Sequence, residues 1–169
     1  MVDQELERLS KQVGDALKNA KLKLVTAESC TGGWVGEAVT AVAGSSDWFE
    51  RGFITYSNAA KREVLGVAAV TIQQHGAVSE ETAREMVLGA LKHSRAQISV
   101  AITGVAGPGG GSDDNPVGTV CFAWARGDNA LRSERHQLKG DRTAVRQQSV
   151  VIALRGLLDL ASTNKTAVA

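Results

Sequence analysis

The chain has 169 residues, 43% of them hydrophobic, enough for one domain with a substantial core. Nineteen Lys and Arg against eighteen Asp and Glu leave a net charge of +1, too little to draw in nucleic acid or a membrane surface. Two cysteines without C-x-x-C spacing, three scattered histidines and no H-E-x-x-H argue against a metal site, and the polar start Met1–Leu6 is unlike a signal peptide. No apolar run approaches the ~20 residues that span a bilayer. The expectation is a cytoplasmic protein with reduced thiols, no metal and no cofactor.

In chain order, Leu6, Leu9, Val13 and Leu17 set a core-facing helix over 3–20. Leu22–Ala27 reads as a buried strand, and Ser29–Val42 as a helix whose cap is Ser29. A turn at 43–47 leads to a second strand, Gly52–Ser57, and Asn58 caps a short helix through Leu65. Residues 66–78 give no clear signal. Ser79, followed by two acids, starts a periodic helix through Arg95, and Ile98–Thr103 alternates as a third strand. A glycine-rich loop, Gly104–Pro116, precedes a hairpin of Thr119–Ala125 and the polar Leu131–Leu138. Asp141 caps a last helix with a long apolar stripe, and Ser162–Ala169 reads as a frayed tail. This alternation predicts one α/β domain over 1–169, a three-layer α/β/α sandwich with a mixed sheet and an ordered core of about 4–161.

Several familiar signatures fail. The loop after Thr103 lacks the G-K-[ST] ending of a P-loop, and Gly107–Gly111 is not G-x-G-x-x-G. Ser29 has no lysine three residues on. What remains is a set of reactive side chains at strand ends and helix starts. Ser29 ends the first strand, Tyr56 the second and Thr103 the third, while Arg142 opens the last helix. In an open α/β sheet such positions converge on the crevice at the carboxyl ends of the strands. Lys61, one helical turn beyond Tyr56, reaches the same crevice. Each also has a plainer role: Ser29 as a cap, Tyr56 as a core aromatic, Lys61 as a solvated charge, Thr103 as an ordinary strand residue, Arg142 as an ion-pair partner. Only their joint placement favours a site.

Six stretches in order, Thr26–Gly33, Gly52–Asn58, His75–Ser79, Gly104–Pro108, Pro116–Val120 and Gly140–Arg142, resemble the C-terminal domain of CinA. The likeness is greatest to its stand-alone branch, the nicotinamide mononucleotide deamidases, and runs from about Leu6 to about Leu160. Gly109 and Asn115 depart from the family pattern within the glycine-rich loop. The resemblance implies hydrolysis of the carboxamide of nicotinamide mononucleotide to nicotinic acid mononucleotide and ammonia, without metal or cofactor, by a homodimer. It implies Ser29, Lys61 and Tyr56 as catalytic residues, with Thr103 and Arg142 beside them.

A serine hydroxyl needs an adjacent base to attack an amide. The three histidines fall in a loop, a helix end and an edge strand, so a neutral Lys61 is the candidate, acting directly or through Tyr56. Burial and a cationic neighbour, Arg142 or the substrate's pyridinium, would lower its pKa. N–H groups at Cys30 and Thr31 would meet the oxyanion, and the backbone of 104–111, with Gly104 and Gly107, or the Arg142 helix start would meet the phosphate. Two other classes stay open at this point: a cysteine enzyme using Cys30, and a non-catalytic nucleotide- or phosphate-binding module.

Overall fold

The structure, a computed structural model, describes residues 3–127 and 130–162. The expected tail beyond Ser162 and the hairpin tip at 128–129 lie outside them. Helix α1 (Gln4–Ala20) is capped by Asp3 and closed by Lys21 in the left-handed conformation. That closure includes an N–H of Leu22 bonded to Leu17 O at 2.9 Å, so strand β1 starts two residues later than the apolar run, at Leu24–Glu28.

Helix α2 is only Trp34–Thr40. The expected start at Ser29 fails because Gly32 (φ 61°) and Gly33 (φ 102°) hold a left-handed turn that no helix can include. Ser29 therefore caps nothing. Strand β2 is Phe49–Ile54, beginning three residues early and ending before Tyr56. It pairs parallel to β1 from Leu24↔Phe49 to Glu28↔Ile54, and the ladder stops where β1 stops.

Helix α3 (Asn58–Leu65) takes its cap from Ser57, whose hydroxyl accepts the N–H of Ala60 at 3.0 Å. The ambiguous stretch holds a further helix, α4 (Ala69–His75), followed by α5 (Glu80–Lys92) capped by Ser79. Strands β3 (Ile98–Gly104), β4 (Thr119–Arg126) and β5 (Ala130–Gln137) precede α6 (Arg142–Ala161), capped by Asp141.

The sheet order is β2-β1-β3-β4-β5, with the first three strands parallel and the last three antiparallel. Helices α1, α2 and α6 cover one face, and α3, α4 and α5 the other. This is the expected three-layer sandwich. The first face is bulky, with Leu24, Ile102, Phe122 and Trp124 under the helices. Gly156 of α6 lies flat on the Trp124 ring, where any Cβ would overlap it, and the indole N–H donates to Ala153 O at 3.0 Å. The second face is built of smaller side chains, Val25, Cys121, Ala27, Ala101, Ala123 and Ala125, which lets α5 sit close. Gly104 pairs with Val120, so the loop between β3 and β4 leaves and re-enters the sheet at one end. The carboxyl ends of β1, β2 and β3 open at that same end.

Candidate active site

Ser29 follows β1 directly and is 6% exposed, its N–H donating to Ile102 O of β3 at 3.0 Å. Lys61 sits in α3, only 2% exposed, with Nζ 3.0 Å from Ser29 Oγ and 2.9 Å from Thr55 O. Thr55 is itself pinned, its N–H donating to Glu28 O at 2.9 Å. A lysine with both neighbours neutral has nothing to balance a buried charge. Burial therefore pushes the Lys61 amine below its ordinary value, opposed only by the Cys30 thiol group. Of the two cations expected to lower it, Arg142 and the substrate's pyridinium, the first is not among the causes of the shift.

Tyr56 lies two residues past the end of β2 and is 63% exposed, so it is no core aromatic. Its hydroxyl accepts from Arg142 at 3.1 Å rather than engaging Lys61 or Ser29. The same guanidinium donates to Gly107 O at 2.8 Å and so ties the rim formed by Tyr56 to the glycine-rich loop. Beside it lies a cleft of about 480 Å³ lined by Ala106, Pro108, Val117, Asp141, Arg142 and Thr143. Thr103 is buried and donates to Ala77 O at 2.8 Å, which anchors the segment between α4 and α5 to the sheet. Gly104 is the last residue of β3, and a Cβ there would press on Val120.

Thr31 is fully buried, with its hydroxyl donating to Glu28 at 2.7 Å, so it meets the crevice with neither side chain nor surface. Cys30 is buried as well. Its thiol is pushed up to about 12, chiefly by burial, and a thiol held that high carries no useful thiolate at neutral pH. The histidines are engaged elsewhere: His75 faces Glu81 at 3.9 Å, His93 meets Gly89 O at 2.8 Å, and His136 meets Glu134 at 2.8 Å. Among the described residues no group of three His, Cys, Asp or Glu is placed to hold a metal ion.

Three residues, two by their side chains and one by its backbone, escaped the sequence reading. Glu28, 1% exposed, ends β1 and accepts the Val35 and Gly36 N–H groups at 2.9 and 3.0 Å, a carboxylate at the start of α2. Arg146 donates to Cys30 O at 3.0 Å and to Thr31 O at 3.1 Å. Thr55 lends only its backbone. An acid closing an apolar strand, and an arginine one turn after Arg142 on the same helix face, were the available signals.

The model of the CinA C-terminal domain matches residues 6–161. The chain belongs to the CinA C-terminal domain family. It is 55% identical over 159 residues to the nicotinamide-nucleotide amidohydrolase PncC of Escherichia coli K12, covering 93% of this chain and 95% of that protein. It is 53% identical over 152 residues to the protein of the same name from Pseudomonas putida, covering 90% and 94%. The crystal structure of the competence/damage inducible protein CihA from Agrobacterium tumefaciens superposes with a TM-score of 0.92 at 42% identity, covering 95% of this chain and 98% of that one. The CinA C-terminal fold expected from the six motifs is therefore the fold found, and those relatives span nearly the same length.

Proposed function

We propose that this chain hydrolyses the carboxamide of nicotinamide mononucleotide to nicotinic acid mononucleotide and ammonia, with Ser29 as nucleophile and Lys61 as general base. The observation that carries the reading is the 3.0 Å contact between Lys61 Nζ and Ser29 Oγ, made by a lysine that is 2% exposed. The amidohydrolase name shared by the similar proteins supplies the substrate class.

The neutral amine keeps one N–H on Thr55 O and turns its lone pair to the serine hydroxyl. Oγ bonds to the carboxamide carbon as its proton passes to Nζ. The tetrahedral oxyanion is met by the N–H of Cys30, the residue after the nucleophile. The C–N bond then breaks, Nζ returns its proton to the leaving NH₂, and ammonia departs from an ester on Ser29. Water attacks that ester and gives a proton to Nζ, and the ester bond breaks to release the acid as Nζ passes the proton to Oγ, restoring the serine hydroxyl and the neutral amine. The pyridinium of the substrate draws electrons from the carboxamide and favours the first attack. Arg142, already on the loop carbonyl and the Tyr56 hydroxyl, supplies positive charge for the phosphate at the mouth of the adjoining cleft. Tyr56, Gly104, Gly107 and Thr103 shape and anchor that mouth. The reading includes a homodimer working in the cytoplasm without a cofactor, as the family likeness implies.

The test is ammonia release from nicotinamide mononucleotide by wild type, Ser29→Ala, Lys61→Ala and Cys30→Ala. Ser29→Ala and Lys61→Ala are expected to lose about 10³-fold or more in kcat, with Cys30→Ala close to wild type. Equal turnover in all four would sink the serine–lysine pair, and loss in Cys30→Ala alone would return the nucleophile to sulfur.

A further inference from the structure

Ser29 is carried by a five-residue turn, 29–33, which belongs to neither β1 nor α2. The sheet holds this turn through the Ser29 N–H on Ile102 O and the helix through the Trp34 N–H on Thr31 O, each at 3.0 Å, which leaves the Cys30 N–H and C=O without a backbone partner among the described residues. A further hold comes from two opposite charges on either side of the turn. Below it, the buried Glu28 carboxylate takes the Thr31 hydroxyl and the first N–H groups of α2. From α6, the Arg146 guanidinium takes the two successive carbonyls of Cys30 and Thr31.

The second contact has a consequence through peptide planarity. In a trans peptide the C=O and the following N–H point in opposite directions. With Thr31 O drawn to Arg146, the N–H of Gly32 is turned the other way, where it meets Ser29 O at 3.0 Å. With Ser29 O held by that bond, the N–H of Cys30 is turned outward in its turn. Among the described residues that N–H meets no backbone or side-chain acceptor outside its own residue. Two bonds from one guanidinium, with the Trp34 N–H sharing Thr31 O at 3.0 Å, thus act on three peptide planes in series, and the last of them carries the Cys30 N–H. Arg146 is itself held in place, stacked 5.3 Å over the Trp34 ring at the start of α2.

We infer that Arg146 is a positioning residue for the reaction: by gripping the Cys30 and Thr31 carbonyls it sets the direction of the Cys30 N–H and of the Ser29 hydroxyl. The inference rests on the serine–lysine reading for its chemistry, but the grip is a matter of geometry and is read separately. Arginine is required because a planar fork spans adjacent carbonyls, which a single ammonium does not.

The experiment uses the full chain as wild type, Arg146→Lys and Arg146→Met. In Arg146→Met the amide of Gly32 is expected to exchange its hydrogen about tenfold or more faster, with exchange in β4 and α5 unchanged. For nicotinamide mononucleotide, kcat is expected to fall about tenfold or more, with KM within about threefold and the midpoint of the pH profile unmoved. Arg146→Lys, which keeps the charge and one bond, is expected to fall between the two, and it carries the test if the methionine variant does not fold. Unchanged Gly32 exchange, or a raised KM with kcat intact, would overturn the inference. If the wild type itself releases no ammonia, the deamidase reading fails, and the Gly32 exchange still decides whether Arg146 holds the turn.

Discussion

An ammonium group loses its water when Lys61 folds into place, and what it gains is one hydroxyl and one carbonyl. Neither is an anion, so the protonated form is disfavoured and the amine titrates below 10.5. The sign of the resulting pH dependence follows. Between the lowered folded value and the ordinary one, the unfolded chain binds a proton that the folded chain does not, so stability rises with pH across that window. Measured by urea unfolding, wild type should gain on Lys61→Met as pH climbs toward 10.5, and the gain should vanish below the folded value. Activity should rise through the same folded value, because only the free amine accepts the serine proton. A stability difference that is flat in pH would mean that Lys61 stays charged. The pair came into view through its placement at a strand end and a helix start together with the family resemblance, because taken alone Ser29 reads as a cap and Lys61 as a solvated charge; the structure adds the 3.0 Å contact between them. Tyr56 was read less well. Its aromatic neighbourhood suggested a core or relay role, but β2 ends at Ile54 and leaves the ring in solvent against Arg142.

Helix α3 is the element that delivers the base, and it is short: eight residues, Asn58–Leu65, with Lys61 in its first turns. Its start depends on the Ser57 hydroxyl, which accepts the Ala60 N–H at 3.0 Å. Ser57→Ala is expected to cost about 1 kcal/mol, seen as a lower urea midpoint, and to reduce kcat because Lys61 follows the frayed turn. An unchanged midpoint and unchanged turnover would show that packing against α5 alone holds the helix. The sequence marked most elements because their apolar stripes are strong, as in α1, α5 and α6. It left α4 unread for a physical reason: none of its residues is buried, so no periodic stripe exists to be seen. The boundaries around Ser29 went wrong because two positive-φ glycines look like any small residues until the backbone is built. Glu28 was quoted within a motif but not understood, since a carboxylate at the close of an apolar strand gains its meaning only from the helix N-terminus above it.

Across the whole molecule, the candidate site draws on Ser29, Lys61 and Arg142, from the turn after the first strand, the third helix and the last helix. Their convergence follows from the crossover order β2-β1-β3, which sends α2 to one face and α3 to the other and leaves a crevice where the directions part. The two faces divide the labour. Bulky side chains bind α6, which carries Arg142 and Arg146, while the smaller side chains of the other face lie under α5, on which α3 packs. A ligand that spans these parts should stabilise the folded chain as a unit. In Ser29→Ala, nicotinamide mononucleotide at a hundredfold excess over Kd should add about 2.7 kcal/mol and raise Tm by roughly 5–10 °C. Thermal unfolding followed with increasing ligand checks this, and a constant Tm would count against a nucleotide in the crevice.

Both feet of the glycine-rich loop stand on neighbouring strands, at Gly104 and Val120, and its crown from Pro108 to Asp114 is exposed. A strip of backbone anchored in that way can be lengthened or trimmed at its crown without shifting a single rung of the ladder beneath. The entrance can therefore be recut for a larger or smaller guest while nucleophile and base stay where they are, which makes this one segment the natural place for substrate preference to diverge.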